Sequence, residues 1–467
     1  MTNTVSHRTA EEWIDFLLDR ASFIPLIPNS ESGPSFASEI ITGFGKIHGR
    51  DVAVWATRPD VNQGYITANG AIKIRRLMDR ALELGIPIIS LLSSAGVSLN
   101  EGSRSGEEYS RVMMGTVELS GSIPQIACVM GVNIGAPAYS ASLQDLVLFH
   151  KTRSYLFVSS PGVVKQVLGE TTTFAQLGGM QLHSEETGLA HFVDDNYEKL
   201  LRRCQWLVSF LPNNYREDPS VMETIAPVEP LPVIPSEAHV AFDITSLIKG
   251  IVDESKFMEY SAEFGRSCVC AFARIGGMSV GIVANQSLFK SGALDVQASK
   301  KAARFIRICD AYNIPMLTLI DAPGFMPGSE EEKKGILQAG ADLIYAMKTR
   351  NPKLSVVVRK CYGAAAIVLA QSRNWNGDLV LAFESARNAV MGFEAAKDVV
   401  YAKDPRPVEE LKQDYFEKHE RAQVSLGMGL IDEVVTPQTL RARLIQHLNL
   451  LSQKRPNSMP PVRRIGP

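Results

Sequence analysis

The sequence predicts an α/β protein made of two duplicated domains. Short β-branched runs alternate with longer amphipathic segments, and the chain repeats itself once at a fixed offset. A proline-rich stretch separates the two copies and marks a border, because proline continues neither helices nor central strands. A chain of 467 residues also exceeds one ordinary core, so two domains are the natural expectation.

The internal repeat has an offset of 228 residues. The segment 43–56, GFGKIHGRDVAVWA, corresponds to 271–284, AFARIGGMSVGIVA. Likewise 85–91, GIPIISL, corresponds to 313–319, NIPMLTL. Three residue pairs keep the same spacing: Pro87 with Pro315, Pro124 with Pro352, and Gly135 with Gly363. Because unrelated α/β units would not preserve these spacings, we interpret the repeat as a duplication.

The proline-rich stretch at 213–236 is the predicted linker. It divides the chain into an N-terminal domain at 1–212 and a C-terminal domain at 237–467. Each domain is expected to contain the same series of strands and helices.

In the first half this series is strand Val52–Trp55, helix Ala71–Leu84, strand Pro87–Leu92 and strand Gln125–Met130. In the second half it is strand Val280–Val283, helix Ala298–Tyr312, strand Met316–Ile320 and strand Leu354–Val358. The later strands of each half are almost continuously apolar, which predicts parallel strands covered on both faces.

Composition and charge exclude several classes of function. The net charge of −2 implies no general attraction to nucleic acid or to an anionic membrane. A run of about 18 apolar residues, which a membrane span needs, does not occur. The six cysteines include no C-x-x-C pair and predict buried, reduced thiols instead of a zinc or redox site. The first twenty residues predict an amphipathic helix and not a signal peptide, so we expect a cytoplasmic protein.

A turn of small residues opens into an apolar helix after the last strand of each half. It spans 131–137, GVNIGAP, in the first half and 362–366, YGAAA, in the second. A tight turn at a helix start presents free backbone N–H groups, and small side chains let a ligand oxygen approach them. These donors would stabilise an oxyanion, because they are fixed before the charge develops. For each turn alone, simple clearance between strand and helix stays open as the alternative.

A second pair of loops follows the preceding strand, at 93–96 (SSAG) and at 321–324 (DAPG). The latter continues to Ser329, which we expect to cap an acidic helix start. His183 and His191 lack metal-spaced partners and are interpreted as structural or solvated, so no metal site is predicted. Because we find no general-base constellation, we expect backbone dipoles to stabilise charge while the substrate or cofactor carries the proton.

Several longer segments carry a resemblance to a known family. They are 160–165 SPGVVK, 177–179 LGG, 184–191 SEETGLAH, 272–277 FARIGG, 281–286 GIVANQ, 298–305 ASKKAARF, 321–328 DAPGFMPG and 389–395 AVMGFEA. With them the chain resembles the β subunit of acyl-CoA carboxylases, the carboxyltransferase family of propionyl-CoA and acetyl-CoA carboxylases, and the related decarboxylase subunits. The resemblance runs from about Thr9 to the end and is closest in the second half.

This resemblance implies a crotonase-like (ClpP/crotonase) ββα-spiral fold in both domains. It also implies a hexamer, a trimer of dimers, with each active site between the N-domain of one subunit and the C-domain of its neighbour. The implied partners are a biotin carboxylase and a biotin carboxyl carrier subunit. The resemblance also implies that biotin is carried on a partner chain.

The same resemblance assigns the site residues. Gly135 and Ala136 would hold the thioester oxygen of acyl-CoA, and Ala364 and Ala365 the ureido oxygen of carboxybiotin. The residues expected to bind cofactor are Tyr362, Gly363, Ala95, Gly96 and Ile367. Carboxybiotin would release CO2, its nitrogen would take the α-proton, and the enolate would capture CO2.

The sequence departs from the family pattern in its first half. The family usually has Gly-Gly-Ala at both turns, whereas this chain has GAP at 135–137 and GAA at 363–365. Pro137 has no N–H, so any family donor at that position is lost. The usual Asp-Ser-Gly-Gly-Ala-Arg segment is SSAGVS at 93–98, without its acid and its arginine. Ile367 occupies the position that influences acyl-chain selection, and its apolar side chain is compatible with short acyl groups.

These changes cluster in the half that would bind the acyl thioester, so we expect an unusual acyl group on CoA or on a carrier protein. A decarboxylase of a malonyl-type thioester is one alternative, because it would use the same enolate stabilisation in reverse. A catalytically silent structural paralogue is the other.

Overall fold

The structure, a computed structural model, describes residues 9–27, 36–237, 239–370, 377–454 and 465–466. The chain divides into two compact units, one ending at Pro219 and one running from Ser220 to Pro460. Ile465 belongs to the first unit, where its N–H donates to Ser120 Oγ at 3.1 Å. Both units combine helices with one mixed sheet, which confirms the predicted α/β class.

The first unit contains one sheet with strand order β1-β2-β3-β4-β5-β6-β8, and β7 pairs with the end of β5. Its strands are β1 Ile24–Pro25, β2 Ile40–Ile47, β3 Arg50–Thr57, β4 Ile88–Ser94, β5 Gln125–Ile134, β6 Leu146–His150, β7 Tyr155–Phe157 and β8 Phe192–Asp194. Its helices are α1 Ala10–Leu17, α2 Ala68–Leu84, α3 Ser103–Leu119, α4 Ala136–Ser142, α5 Pro161–Leu168, α6 Phe174–Gly178 and α7 Tyr197–Phe210. The helix predicted for the first twenty residues is α1, capped by Thr9, and residues 1–8 lie outside the described residues.

The second unit contains a sheet of the same design, with order β9-β10-β11-β12-β13-β14-β16 and with β15 paired to β13. Its strands are β9 Phe257–Tyr260, β10 Cys268–Ile275, β11 Met278–Asn285, β12 Met316–Ala322, β13 Lys353–Tyr362, β14 Leu379–Phe383, β15 Arg387–Ala389 and β16 Glu433–Val435. Its helices are α8 Ile244–Ile251, α9 Val296–Ala311, α10 Ser329–Lys333, α11 Ile336–Met347, α12 Gly363–Ala370, α13 Phe393–Val400, α14 Val408–Tyr415, α15 Ala422–Gly427 and α16 Pro437–Leu451.

The duplication extends to fine details of the backbone. Strands β2 and β3, and likewise β10 and β11, form a hairpin closed by two residues of positive φ, His48-Gly49 (50° and 78°) and Gly276-Gly277 (63° and 79°). This is the turn geometry that the right-handed twist of paired strands favours. The later strands are parallel, and an irregularity in register falls between Leu92 and Ser94 and again between Ile320 and Ala322. All these positions are 228 apart, so the offset read from the sequence is the offset of the structure.

The central strands are buried along their whole length, as their apolar sequences predict. Every residue of β11, β12 and β13 is buried, and parallel strands covered on both faces have this pattern. Two strand ends were predicted wrongly: β5 continues to Ile134 and β13 to Tyr362, so residues 131–134 and Tyr362 are strand and not part of a turn. The reason is the same in both units, because parallel pairing of β7 with 132–134 prolongs β5 and pairing of β15 with 360–362 prolongs β13.

The thiols and the helices bear on two other sequence predictions. All six cysteines are free and buried, as predicted. Within the described parts of the chain, no helix is both long and apolar enough to cross a membrane.

Candidate active site

The first turn joins the end of β5 to the start of α4. Gly135 has φ 67° and ψ −126°, a conformation that a residue with a side chain rarely adopts. Its N–H donates to Phe157 O at 3.0 Å, and this bond fixes the turn against the end of β7. Ala136 and Pro137 then open α4, where the first N–H groups have no acceptor in their own helix. Since Pro137 has no N–H, Ala136 is the donor next to the glycine.

The second turn repeats this geometry at the end of β13. Gly363 has φ 63°, and its N–H donates to Val390 O at 3.0 Å, just beyond β15. Ala364 and Ala365 follow in the first turn of α12, so neither N–H has an acceptor within the helix. Both residues keep a backbone donor, in contrast to the first turn. The structure therefore places the predicted residues of the two turns in matching strand–turn–helix sites.

The loop after β4 lies beside the first turn. Gly96 has φ 126°, and a Cβ added to it would lie 3.6 Å from Ile134 O, the carbonyl that precedes Gly135. Ala95 N–H donates to Gln63 O at 3.2 Å, and Ser94 Oγ accepts the Gly96 N–H at the same distance. The sequence-predicted pair Ala95 and Gly96 is thus brought next to Gly135.

Tyr362 and Ile367 flank the second turn in different ways. The Tyr362 side chain is buried, and its hydroxyl donates to Glu420 Oε1 at 3.0 Å. Burial and the neighbouring Glu420 carboxylate raise the pKa of Tyr362, so the hydroxyl stays protonated. Ile367 is 54% exposed on α12, four residues after Gly363. Ile367 therefore offers an apolar surface near the turn, whereas the Tyr362 hydroxyl is occupied inside the protein.

A buried ion cluster at the end of β12 was not predicted from the sequence. Asp321 Oδ2 accepts from Arg359 Nε at 3.1 Å and from Arg359 Nη2 at 2.6 Å, and all three atoms are buried. Lys360 Nζ lies 3.4 Å from Asp321 Oδ1, and burial lowers the pKa of this lysine although Asp321 opposes the shift. The cluster joins the DAPG loop to the strand that leads into the second turn. The sequence feature that could have revealed this cluster was the 228-residue offset, because it shows where the two halves differ in charge.

The first unit has uncharged residues at the equivalent positions. Ser93, Gly131 and Val132 stand where the second unit has Asp321, Arg359 and Lys360. A Cβ added to Gly131 would lie 2.2 Å from Ser93 Oγ, so the two loops approach too closely there for a larger residue. The two turns thus share a backbone geometry, but the second has buried charged residues next to it where the first has uncharged ones.

Two other groups have structural roles. His183 Nε2 bonds to Leu156 O at 2.8 Å, His191 Nδ1 accepts the Val147 N–H at 3.0 Å, and burial lowers the pKa of His183. Among the residues that the structure describes, no cluster of three or more potential metal ligands occurs.

Ser329 is wrongly predicted as a cap, because Gly328 holds that position of α10. The nearby Glu331 carboxylate instead accepts the Val296 N–H at the start of α9, at 3.1 Å.

Comparison with known proteins defines the class. The model of the carboxyl transferase domain family matches residues 4–465. The chain belongs to this family, and it is an acyl-CoA carboxylase carboxyltransferase subunit with the duplicated crotonase-like fold.

Individual relatives agree with this class. The chain is 36% identical to the propionyl-CoA carboxylase carboxyltransferase subunit of Haloferax mediterranei, over 96% of this chain and 91% of that protein. It is also 36% identical to the mitochondrial propionyl-CoA carboxylase beta chain of Sus scrofa, over 96% of this chain and 86% of that protein. A transcarboxylase 12S structure, described as a hexamer assembly with methylmalonyl-coenzyme A and methylmalonic acid bound, matches with a TM-score of 0.92 and 33% identity. That match covers 97% of this chain and 92% of the other.

Proposed function

We propose that this protein moves a carboxyl group from carboxybiotin to the α-carbon of a short acyl-CoA. The observation that carries the proposal is the pair of matching turns. Each is built on a glycine of positive φ whose N–H is tied to a neighbouring carbonyl. Two such sites suit a reaction in which negative charge develops on two oxygens, one on each reactant. The 36% identity to propionyl-CoA carboxylase subunits supports the same reaction class.

The first turn is proposed to hold the thioester oxygen of the acyl-CoA. Removal of the α-proton places negative charge on this oxygen, and the Ala136 N–H would donate to it from a fixed position. Gly135 supplies the positive φ that turns the chain, while Ala95 and Gly96 border the turn with small residues. Because this donor is a backbone group, the site would stabilise the enolate without a side-chain acid or base.

The second turn is proposed to hold the ureido oxygen of carboxybiotin, which arrives on a partner chain. The N–H groups of Ala364 and Ala365 are the donors, and Gly363 and Tyr362 shape the approach. This donor set fits the group, since a ureido oxygen is an acceptor that becomes more negative when its ring loses a carboxyl group. When bound, carboxybiotin supplies that carboxyl group and a nitrogen base for the α-proton.

Short acyl groups are the proposed substrates. The exposed Ile367 gives the second turn an apolar neighbour and offers no charge to a polar acyl chain. Pro137 leaves the first turn with one backbone donor fewer, which favours a thioester whose enolate needs little stabilisation.

A biotin carboxylase, a biotin carboxyl carrier and further copies of this chain are the proposed partners. A hexamer, a trimer of dimers, is supported by the transcarboxylase 12S relative, which is described as a hexamer assembly. It is also supported by the short helix α5, in which no residue is buried and Val167 is 72% exposed. Its counterpart α13 exposes Val399 to 76%. Apolar helix faces of this kind are typical of surfaces that neighbouring copies cover.

The test is CO2 release from malonyl-CoA and methylmalonyl-CoA by the purified protein, with and without a free biotin derivative. The same acyl groups on a carrier protein form a parallel series. We expect release that requires biotin, because the carboxyl group must pass to the biotin nitrogen. Release that is independent of biotin would make the protein a decarboxylase, and no release from any thioester would contradict the proposal.

A further inference from the structure

One buried carboxylate contacts three segments that surround the second turn. Glu420, 1% exposed, ends a single π-helical turn that follows α14. Its Oε1 accepts from the Tyr362 hydroxyl at 3.0 Å and from the Phe393 N–H at 3.2 Å. Its Oε2 accepts from Arg387 Nη1 at 3.2 Å. The three donors come from the end of β13, the start of α13 and the start of β15.

These contacts enclose the hydrogen bond that sets the turn. Gly363 N–H donates to Val390 O, and Tyr362 immediately precedes the donor residue. Arg387 and Phe393 each lie three residues from Val390, one on either side. Glu420 therefore binds the chain beside the donor and on both sides of the acceptor. The N–H groups of Ala364 and Ala365 follow Gly363 directly, so their direction depends on this bond.

The cluster is arranged so that its carboxylate is satisfied. A buried charge is tolerated only when it is paired and hydrogen-bonded, and Glu420 has a guanidinium, a hydroxyl and a backbone N–H at a helix start. The Arg387 guanidinium also lies 5.0 Å from the centre of the Phe416 ring, which holds it over the same helical turn. A Cβ on Gly392 would lie 3.1 Å from the Tyr362 ring, so that glycine leaves space for the ring.

The first turn is supported by different groups. Ile134 stands where the second unit has Tyr362, and Tyr155 pairs with β5 where Arg387 pairs with β13. Tyr155 and Phe157 contact the Phe174 ring, at 5.7 Å and 5.4 Å between centroids. Support there is mainly aromatic, so the carboxylate cluster distinguishes the second turn.

We propose that Glu420, acting through Tyr362 and Arg387, is the positioning residue that aims the Ala364 and Ala365 N–H groups at the carboxybiotin oxygen. This inference rests on the proposed function and adds a specific residue to it. Glu420 is buried and is proposed to act only through the second turn, so its loss should change the parameters for biotin and not those for the acyl thioester.

The experiment compares Tyr362→Phe and Glu420→Gln with the unmodified protein in biotin-dependent CO2 release from methylmalonyl-CoA. For Tyr362→Phe we expect kcat/KM for the biotin derivative to fall about tenfold, because one hydrogen bond to a charged group is lost. The KM for methylmalonyl-CoA should stay unchanged, and Glu420→Gln should show the same split with a larger effect. Tyr362→Phe keeps the ring and leaves the Arg387 contact, so it tests the idea even if Glu420→Gln does not fold.

Tyr401→Phe is the matched control. Its hydroxyl donates to Asp414 Oδ2 at 3.1 Å in the same unit, so the variant removes a comparable tyrosine–carboxylate bond that does not involve Glu420. We expect the parameters for biotin to be unchanged in this variant. Equal changes for biotin and methylmalonyl-CoA in Tyr362→Phe, or none for either, would overturn the positioning role. Loss of biotin dependence in the unmodified protein would instead overturn the proposed function.

Discussion

At the scale of single residues, the two turns differ by one backbone N–H group, which Pro137 lacks. It stands 228 residues before Ala365, and the two residues occupy the same place at the start of α4 and α12. Ala365 contributes an N–H to its turn, and Pro137 contributes none. The first turn therefore has the shape of the second but one backbone donor fewer.

The variant Pro137→Ala should restore this donor. We expect kcat for biotin-dependent CO2 release to rise, by up to about tenfold, since single oxyanion donors contribute at least that much in other enzymes. Stability should fall by about 0.4–1 kcal/mol, because alanine leaves the unfolded chain more freedom. Pro437→Ala, at the start of α16, is the control with a similar effect on stability and none on kcat. An unchanged kcat in Pro137→Ala would show that the position is not used.

Gly135 and Gly363 are required for conformational reasons and not for space. A Cβ would lie 3.7 Å from Val158 O and 3.8 Å from Val390 O, both ordinary contacts. The positive φ is the obstacle, so we expect Gly135→Ala and Gly363→Ala to lower the free energy of unfolding by about 1–2 kcal/mol each. Urea-induced unfolding of each variant, compared with the unmodified protein, measures this change.

A glycine in a regular helix is the control, because its replacement by alanine should raise the free energy of unfolding. Gly106 lies exposed in α3, and a Cβ there would meet no atom within 4 Å. Gly106→Ala should stabilise the protein by about 0.5–1 kcal/mol, since alanine is the better helix former. Equal effects at Gly106 and at the turns would contradict the conformational explanation.

At the scale of elements, α5 and α13 carry exposed apolar side chains next to the turns. Val158 and Val390, which follow β7 and β15, are 64% and 81% exposed. Val167 and Val399 continue these apolar surfaces along α5 and α13. The pairs are 232 residues apart and not 228, because the second half has four more residues between its turn and β15.

We expect Val167→Asp and Val399→Asp to disrupt assembly, because each places a charge in a surface that neighbouring copies would cover. Sedimentation velocity should show species smaller than the unmodified assembly. Val233→Asp, at a site 93% exposed, is the control and should leave the mass unchanged. An unchanged mass in all three variants would mean that these helices do not take part in assembly.

The elements themselves were largely predictable, and the contacts between distant segments were not. Strands such as β4 and β12 were found because nearly continuous apolar runs with a fixed offset are local features of the sequence. The end of β5 was misplaced, since its last residues pair with β7, which lies more than twenty residues further on. Glu420 was not singled out for a related reason: it lies in a strongly charged segment, and its burial depends on Tyr362 and Arg387.

At the scale of the whole molecule, the stability of the second unit should depend on pH through a buried lysine. Lys353 begins β13, and its Nζ donates to Met347 O at 3.2 Å. Burial lowers the pKa of Lys353 to about 8, with Lys454 and Lys348 adding to the shift and Asp378 and Asp310 opposing it. Between about pH 8 and 10.5 the unfolded chain binds more protons than the folded one, so stability rises with pH in this window.

Lys353→Met should remove this dependence. We expect the variant to unfold at a higher temperature than the unmodified protein at pH 7, and this difference to shrink as the pH rises through 8. Lys300→Met, at an exposed position of α9, is the control for the loss of a positive charge. A constant difference in Tm across the pH range would contradict the assignment to Lys353.

Trapping of labelled carboxybiotin tests the central claim most directly. Methylmalonyl-CoA that carries an isotopic label in its free carboxyl group is incubated with the protein and free biotin, and the biotin product is isolated under alkaline conditions. If the two turns act as paired oxyanion sites, labelled carboxybiotin should form in an amount that matches the CoA thioester consumed. Consumption of the thioester with label only in CO2, and with equal rates in the absence of biotin, would contradict carboxyl transfer.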